Sequence, residues 1–278
     1  MAPQDRRCHR ILKPHVIRLP TAKDWGSVEM RFRHIPATGP EGFRMGSLES
    51  TAEQPVHRVI LTRDYWLGAT PVTQAQFACW KPKHRNHFLD RPDHPAENMA
   101  WDEAAGFCAW LTERCRRRFP RDFRNGHACL PTEAQWERAC RAETNTDYWK
   151  GSGTGALDAV GWYGEDFQKG STHAVRGKGA ESANGFGLFD MHGNVDEWCQ
   201  DAWDSAAYAK RADGVEDPVN EIHEHPEDPL RVFRGGSWLY AAWGCRSAFR
   251  NGRHPSDRVR YQGFRVCLVP GPAKSTPP

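Results

Sequence analysis

Phe233-Arg-Gly-Gly-Ser-Trp238, continued by Trp243-Gly-Cys-Arg-Ser-Ala-Phe-Arg250 and closed by Gly263-Phe-Arg-Val266, is the stretch whose reading decides the fold. A frame of Gly235, Gly236, Ser237, Trp238, Trp243, Cys245, Arg246, Ser247, Ala248, Arg250, Gly263, Phe264 and Arg265 brackets residues of another character. These are Leu239, Tyr240, Ala241, Gly244, Phe249, Gly252, Arg253, Val259, Arg260 and Tyr261. They mix large, small, apolar and basic side chains without the period of a strand or a helix. Segments that close a core show periodicity, whereas a recognition surface need not. The stretch therefore reads as a binding face before it reads as an active site, with Trp238 and Trp243 as buried supports and Tyr240, Phe249 and Tyr261 pointing outward.

Outward from this stretch, the chain of 278 residues has room for one large domain or two small ones. Its 12 Trp and 13 Phe supply a sizeable core although only 38% of residues are hydrophobic. With 25 Gly and 20 Pro, much of the backbone is expected in turns and loops. Net charge is +3, which implies no partner, but charge is uneven along the chain. Arg231 to Arg265 holds eight Arg and one Asp; Asp213 to Asp228 holds seven acidic residues and no Lys or Arg. The acidic run is read as solvating or neutralising part of the basic one, with an Arg-rich nucleic-acid surface as the sharper alternative.

The opening Met1-Ala-Pro-Gln-Asp-Arg-Arg leads into no apolar run, so no secretory signal is expected. No apolar stretch of membrane-spanning length is present in the sequence. The nine Cys include no Cys-x-x-Cys and mostly adjoin apolar residues, as in Cys79-Trp80 and Trp198-Cys199. They read as reduced core thiols of a cytoplasmic protein.

Residues 1–25 are basic and unpatterned and are read as an arm, 26–270 as a single domain, and 271–278 as a disordered tail. Short strands are expected at Phe43–Ser47, Val56–Leu61, Tyr65–Val72, Arg231–Arg234 and Phe264–Val269. Thr73 caps a short helix from Gln74 to Trp80. Ala104, Ala105, Cys108, Leu111 and Cys115 recur at helical spacing and predict a helix from Asp102 to Arg118. Thr132 and Gln135 form a capping-box pattern that starts another. After Ala142 the chain is loop-rich, and His84, His87 and His94 read as loop residues, not ligands.

From Phe43 to Leu268 the chain resembles the sulfatase-modifying-factor family, whose founding activity is formylglycine generation. The motifs Phe43-Arg-Met-Gly-Ser, Pro71-Val-Thr-Gln-Ala-Gln-Phe, Trp101-Asp-Glu-Ala-Ala-Gly-Phe-Cys-Ala-Trp-Leu and Leu130-Pro-Thr-Glu-Ala-Gln-Trp-Glu come first. Gly187-Leu-Phe-Asp-Met-His-Gly-Asn-Val-Asp-Glu-Trp198, Arg234-Gly-Gly-Ser-Trp and Gly263-Phe-Arg follow, all in the family's order. The resemblance implies an α+β, C-type-lectin-like fold of the formylglycine-generating-enzyme type: twisted antiparallel sheets, two main helices and extensive loops. Fold does not fix function, and the family includes copper-using oxidases, iron-dependent sulfoxide synthases with a histidine-rich domain, and non-catalytic binding proteins.

The oxidase class needs two Cys five residues apart after the Gly-Gly-Ser turn, because thiolates hold its copper. Tyr240 stands at the first position, and a lone Cys245 supplies no two-thiolate site unless other Cys converge on it, so no copper is expected. The chain has no room for the synthase's extra domain. The variable proteins of diversity-generating retroelements resemble this segment better. They keep the frame while residues at the other positions are scrambled, so the resemblance implies a variable region at 236–265, and aromatics with Arg suit a hot-spot surface. An ordinary family member whose loops have drifted is the competing reading.

The resemblance also implies a structural Ca²⁺ held by Asp190, the carbonyls of Gly193 and Val195, and Glu197, since hard oxygen donors suit that ion. The expected function is a non-catalytic binder of an unknown protein or cell-surface ligand, expected in the cytoplasm, with display on a cell or phage surface through a partner left open. A formylglycine-type oxidase acting on Cys of a partner protein is the alternative.

Overall fold

The computed structural model describes residues 13–20 and 28–271. The chain runs β1 (His15–Leu19), β2 (Val28–Ile35), β3 (Phe43–Met45), β4 (His57–Ile60), β5 (Tyr65–Gly68), α1 (Gln74–Ala78) and α2 (Trp101–Cys115). It continues with β6 (His127–Cys129), α3 (Glu133–Arg141), α4 (Thr154–Asp158), β7 (Asp196–Ala202) and β8 (Val215–Glu216). The last strands are β9 (Arg231–Arg234), β10 (Arg250–Arg253), β11 (Gln262–Phe264) and β12 (Cys267–Val269). Long loops join them, and α2 and α3 are the two main helices.

Local chemistry sets the helices. Thr73 Oγ1 accepts from Gln76 N while the Gln76 side chain accepts from Thr73 N, so both free N–H groups at the start of α1 are satisfied. Thr132 and Gln135 close the same box on α3, at 3.1 and 3.0 Å. On α2 the Glu103 carboxylate reaches back to Ala100 N. The helix ends at Cys115, and the expected extension to Arg118 is a single 3-10 turn.

Five strands form a sheet in the order β1-β2-β5-β12-β6, all antiparallel. Alternation along each strand sends successive side chains to opposite faces. Trp66 and Leu268 join a core with Phe107 and Leu111 of α2, while Leu67 and Cys267 join a second core with Trp136 and Ala139 of α3. The sheet therefore separates two hydrophobic cores, each closed by one main helix.

The other sheets run β10-β9-β7-β11 and β3-β4-β8. Each contains a parallel pairing, β11 with β7 and β4 with β8, which the expectation of antiparallel sheets did not include. The β7–β11 pairing sets Gln262, Gly263 and Phe264 against Asp196, Glu197 and Trp198, so the two motifs 66 residues apart lie side by side.

Two boundaries differ from the sequence reading. His15–Leu19, assigned there to the basic arm, pairs along its whole length with Val28–Phe32, and Ile17 and Leu19 are buried. The remaining arm residues 1–12 and 21–25, and the tail residues 272–278, lie outside the described residues.

Candidate functional site

The C-terminal segment is built on four arginines. Arg234 donates to Glu137 and, at 2.9 Å, to the carbonyls of Ser247 and Ala248. Arg246 binds both oxygens of Glu53 at 2.8 Å. Arg250 binds Glu133 through Nε at 2.6 Å and Nη2 at 2.9 Å. Arg265 binds Glu197 through Nε and Nη2, with contacts down to 2.8 Å. All eight side chains are buried. Burial pushes the Glu133 carboxyl up, but Arg250 and Arg234 more than reverse this and hold it at about 2.

This corrects the charge reading. The basic segment is not neutralised by residues 213–228, whose own partners lie elsewhere: Asp213 meets Arg58, and Asp217 meets Thr62. Of the remaining basic residues, Arg253 pairs with Asp196, Arg258 with Glu103, and Arg231 covers Trp101 at 4.3 Å. Arg260 lies over Phe167 at 3.9 Å. Each of the eight arginines thus meets a carboxylate or an aromatic ring of its own chain.

Backbone hydrogen bonds fix the loop between the arginines. Gly164 N donates to Tyr240 O at 2.7 Å and Glu165 N to Trp238 O at 2.8 Å. Asp196 N donates to Tyr261 O at 2.8 Å, and Asn98 N to Val259 O at 3.1 Å. Gly236 has φ +69°, and a Cβ there would lie 2.5 Å from Gly244 O, so the turn admits only glycine.

Of the ten face positions, the structure brings Leu239, Tyr240, Ala241, Val259, Arg260 and Tyr261 to the surface, half-buried or exposed. Tyr240 and Tyr261 meet edge-on at 6.4 Å. The other four differ from expectation. Phe249 is buried, 7% exposed, and packs in the core with Trp198, Phe233 and Phe264. Gly244 is buried beneath Tyr240, and a Cβ at Gly252 would collide with Trp203 at 2.4 Å. Arg253 turns inward to Asp196 and lies over Phe233 at 4.3 Å.

The frame holds one converse surprise. Trp238 is fully buried as expected, but Trp243 is 59% exposed. It caps Phe249 edge-on at 5.3 Å, so the support beneath is the Phe and the outward ring is the Trp. Phe167, 55% exposed beneath Arg260, extends the same surface. Phe167 lies in a glycine-bounded loop whose local sequence carries no signal that it meets residue 260. Periodicity does not mark Trp243 either, because it lies in a 3-10 turn, Ala242–Cys245.

Below the face, Asp196 is fully buried, with Oδ2 3.3 Å from Arg253 and Oδ1 without a partner. Burial pushes its carboxyl up to about 7 despite that arginine. Cys245 packs with Tyr148, Leu157 and Val160, and its Sγ lies 4.0 Å from Ser237 O. Burial pushes this thiol up as well. Among the described residues, no group of three or more His, Cys, Asp or Glu is gathered as a metal-ion site requires.

The implied calcium set does not fit as arranged. Glu197 has both oxygens occupied, Oε1 and Oε2 by Arg265 and Oε2 also by Trp136 Nε1 at 2.7 Å. Its lone-pair sites are filled by donors, and a guanidinium already supplies the positive charge. Gly193 O accepts from Val195 N at 2.9 Å. Asp190 accepts from Arg176 N at 2.8 Å and is left as the one carboxylate of the set not spent on a cation.

The arrangement defines a C-type-lectin-like α+β fold with a rigid, arginine-anchored C-terminal segment. The FGE-sulfatase pattern, described as the sulfatase-modifying factor enzyme 1-like domain, matches residues 34–269, and the chain belongs to that family. The formylglycine-generating enzyme of Thermomonospora curvata is 28% identical over 242 residues, covering 78% of this chain and 68% of that protein. The serine/threonine-protein kinase pkn1 of Chlamydia pneumoniae is 27% identical over 254 residues, 80% of this chain but only 36% of the kinase. Among solved structures, Treponema denticola variable protein 1 superposes with a TM-score of 0.69 at 27% identity, covering 88% of this chain and 97% of that one. PvdO from Pseudomonas aeruginosa, at 22% identity, a TM-score of 0.70 and coverage of 92% and 98%, shares the fold.

Proposed function

We propose that this protein is a non-catalytic ligand-binding member of the family, similar to the variable proteins of diversity-generating retroelements. Its recognition surface comprises Leu239, Tyr240, Ala241, Val259, Arg260 and Tyr261, extended by Trp243 and Phe167. The observation that carries this reading is the separation of anchoring from display. At Tyr240, Val259 and Tyr261 the main chain is held by N–H groups of other loops and of β7, and the segment's ends are held by buried arginine–glutamate pairs. Side chains on that backbone can change without removing what holds it, which is the requirement of a diversified paratope. Rigid aromatic rings with an arginine are suited to bind at low entropic cost.

The oxidase alternative is supported by the relatives' name but not by the thiols. Tyr240 stands where the first copper thiolate is expected, and the Cys245 thiol is packed and held protonated by burial. The test is incubation with copper, oxygen and a Cys-containing sulfatase-type peptide. The peptide's mass is expected to show no conversion of Cys to formylglycine, and a formylglycine product overturns the binding reading.

A further inference from the structure

A pair of cysteines lies away from the C-terminal face, at the edge strand β6. Cys129 of β6 and Cys267 of β12 are directly opposed in an antiparallel ladder. Opposed residues in such a ladder have Cα atoms about 4.5–5.5 Å apart, within the roughly 4.4–6.8 Å that a disulfide spans. Both are free thiols. Cys129 is half-buried at the open edge of β6, packed with Cys267 against the second core, and lines a cavity of about 710 Å³ that runs along that edge from α2 to residues 219–221. That volume is in the range of small-molecule sites. Its wall is largely apolar, with Trp101, Cys108 and Val219, while Arg231, Gln200, Asn220 and Glu221 supply polar groups of both signs.

We propose that Cys129 and Cys267 form a thiol–disulfide exchange site that takes a low-molecular-weight disulfide with amide and carboxylate groups, of the glutathione disulfide kind. The Cys129 thiolate attacks one sulfur of the bound disulfide. A mixed disulfide forms on Cys129, and the other half leaves as a thiolate. Cys267 then loses its proton to that thiolate or to solvent and attacks the Cys129 sulfur. The second half is displaced, and a Cys129–Cys267 disulfide remains. Two protein thiols are oxidised by two electrons while one small disulfide is reduced to two thiols.

The surroundings separate the two sulfurs into attacking and resolving roles. Cys129 is half-buried on the edge strand and is met first by an incoming disulfide, whereas Cys267 is fully buried on the inner strand and is placed only to resolve. The neighbouring Cys267 and His127 hold the Cys129 thiol down against its burial, while burial pushes the Cys267 thiol up. Thiolate character governs which Cys reacts. Cys79 provides a comparison: it is also half-buried, but burial pushes its thiol up to about 11. The cross-link would tie the edge strand β6 to β12, three residues after the end of β11 and the C-terminal face.

The test uses the reduced full chain with two probes, iodoacetamide and glutathione disulfide. Cys129 is expected to be alkylated at least about tenfold faster than Cys79. Glutathione disulfide is expected to leave the protein lighter by two hydrogens, with a Cys129–Cys267 cross-link in the peptide map. Cys267→Ser is expected to stop at one glutathionyl group on Cys129. Should that variant not fold, the wild-type peptide map alone decides. Cys129 left unmodified under conditions that label Cys79 overturns the proposal, as does a stable wild-type glutathionyl adduct with no cross-link.

Discussion

Arg250 grips Glu133 with two prongs, Nε to Oε1 at 2.6 Å and Nη2 to Oε2 at 2.9 Å, and neither side chain touches solvent. The same guanidinium donates to the carbonyls of Ala52 and Asp204. One residue of the C-terminal segment thus ties together α3, the 3-10 turn at Thr51–Glu53 and the end of β7. Removing Arg250 leaves the buried Glu133 only the longer contact to Arg234, at 3.6 Å, and breaking such a buried pair costs about 3–5 kcal/mol. Arg250→Ala is expected to lower unfolding free energy by that amount in a urea titration, with Glu133→Gln losing less because its amide still accepts. A loss under about 1 kcal/mol for Arg250→Ala means the pair does not anchor the segment.

The same pair predicts acid sensitivity. The folded-state value of Glu133, about 2, lies below the ordinary 4.5. Its contribution is therefore present above pH 4.5 and lost as pH falls toward 2. Wild type and Glu133→Gln are expected to converge in melting temperature across that window. Parallel acid limbs contradict the assignment.

Frame and face separate by stability. Trp238→Ala and Phe249→Ala are each expected to cost about 3–5 kcal/mol, because both empty a buried site. Trp243→Ala and Tyr261→Ala are expected to cost about 1 kcal/mol or less, since exposed or half-exposed rings give up little. A library varied together at Leu239, Ala241, Trp243, Arg260 and Tyr261 is expected to keep wild-type-like melting in most members. General loss of folding in that library shows that the face is structural, and the binding proposal fails with it.

These residues also show how much was legible in the sequence. The capping boxes at Thr73 and Thr132 use groups three residues apart, so local pattern suffices, and both occur as read. The ordered motifs led to the correct fold because the resemblance spans most of the chain. The strand Asp196–Ala202 carries no strand signal in the sequence, for it reads Asp-Glu-Trp-Cys-Gln-Asp-Ala and has no apolar alternation. Its carboxylates are buried because Arg253, Arg265 and Arg211 come to them from far along the chain. The exchange of roles between Trp243 and Phe249 had the same origin. One ring caps the other, and only the three-dimensional path of the 3-10 turn decides which lies beneath.

The Arg265–Glu197 pair bears on metal dependence. With Glu197 saturated by Arg265 and Trp136, chelator and millimolar calcium are expected to give the same melting temperature. Arg265→Ala is expected to destabilise by about 3–5 kcal/mol, since Glu197 is then buried without a cation. A calcium-dependent rise in melting temperature that Glu197→Ala abolishes would show instead that the ion displaces or shares the guanidinium's place.

Asp196 gives the sharpest pH test, because its shift has the opposite sign to that of Glu133. Burial raises its folded value from 3.8 to about 7, and its Oδ1 has no partner. An acid with a raised value binds its proton more tightly in the folded state. Stability is therefore greatest at low pH and falls as pH rises through the window from 3.8 to 7. Asp196→Asn cannot ionise, yet keeps an acceptor for Arg253. Its stability relative to wild type is expected to improve by roughly 1–3 kcal/mol between pH 4 and pH 8. Taking the difference between variant and wild type removes the contributions of Asp190, Asp201 and Glu97, which are raised in both. A difference that stays flat from pH 4 to pH 8 means Asp196 is already compensated, by Arg253 or by a donor reaching Oδ1.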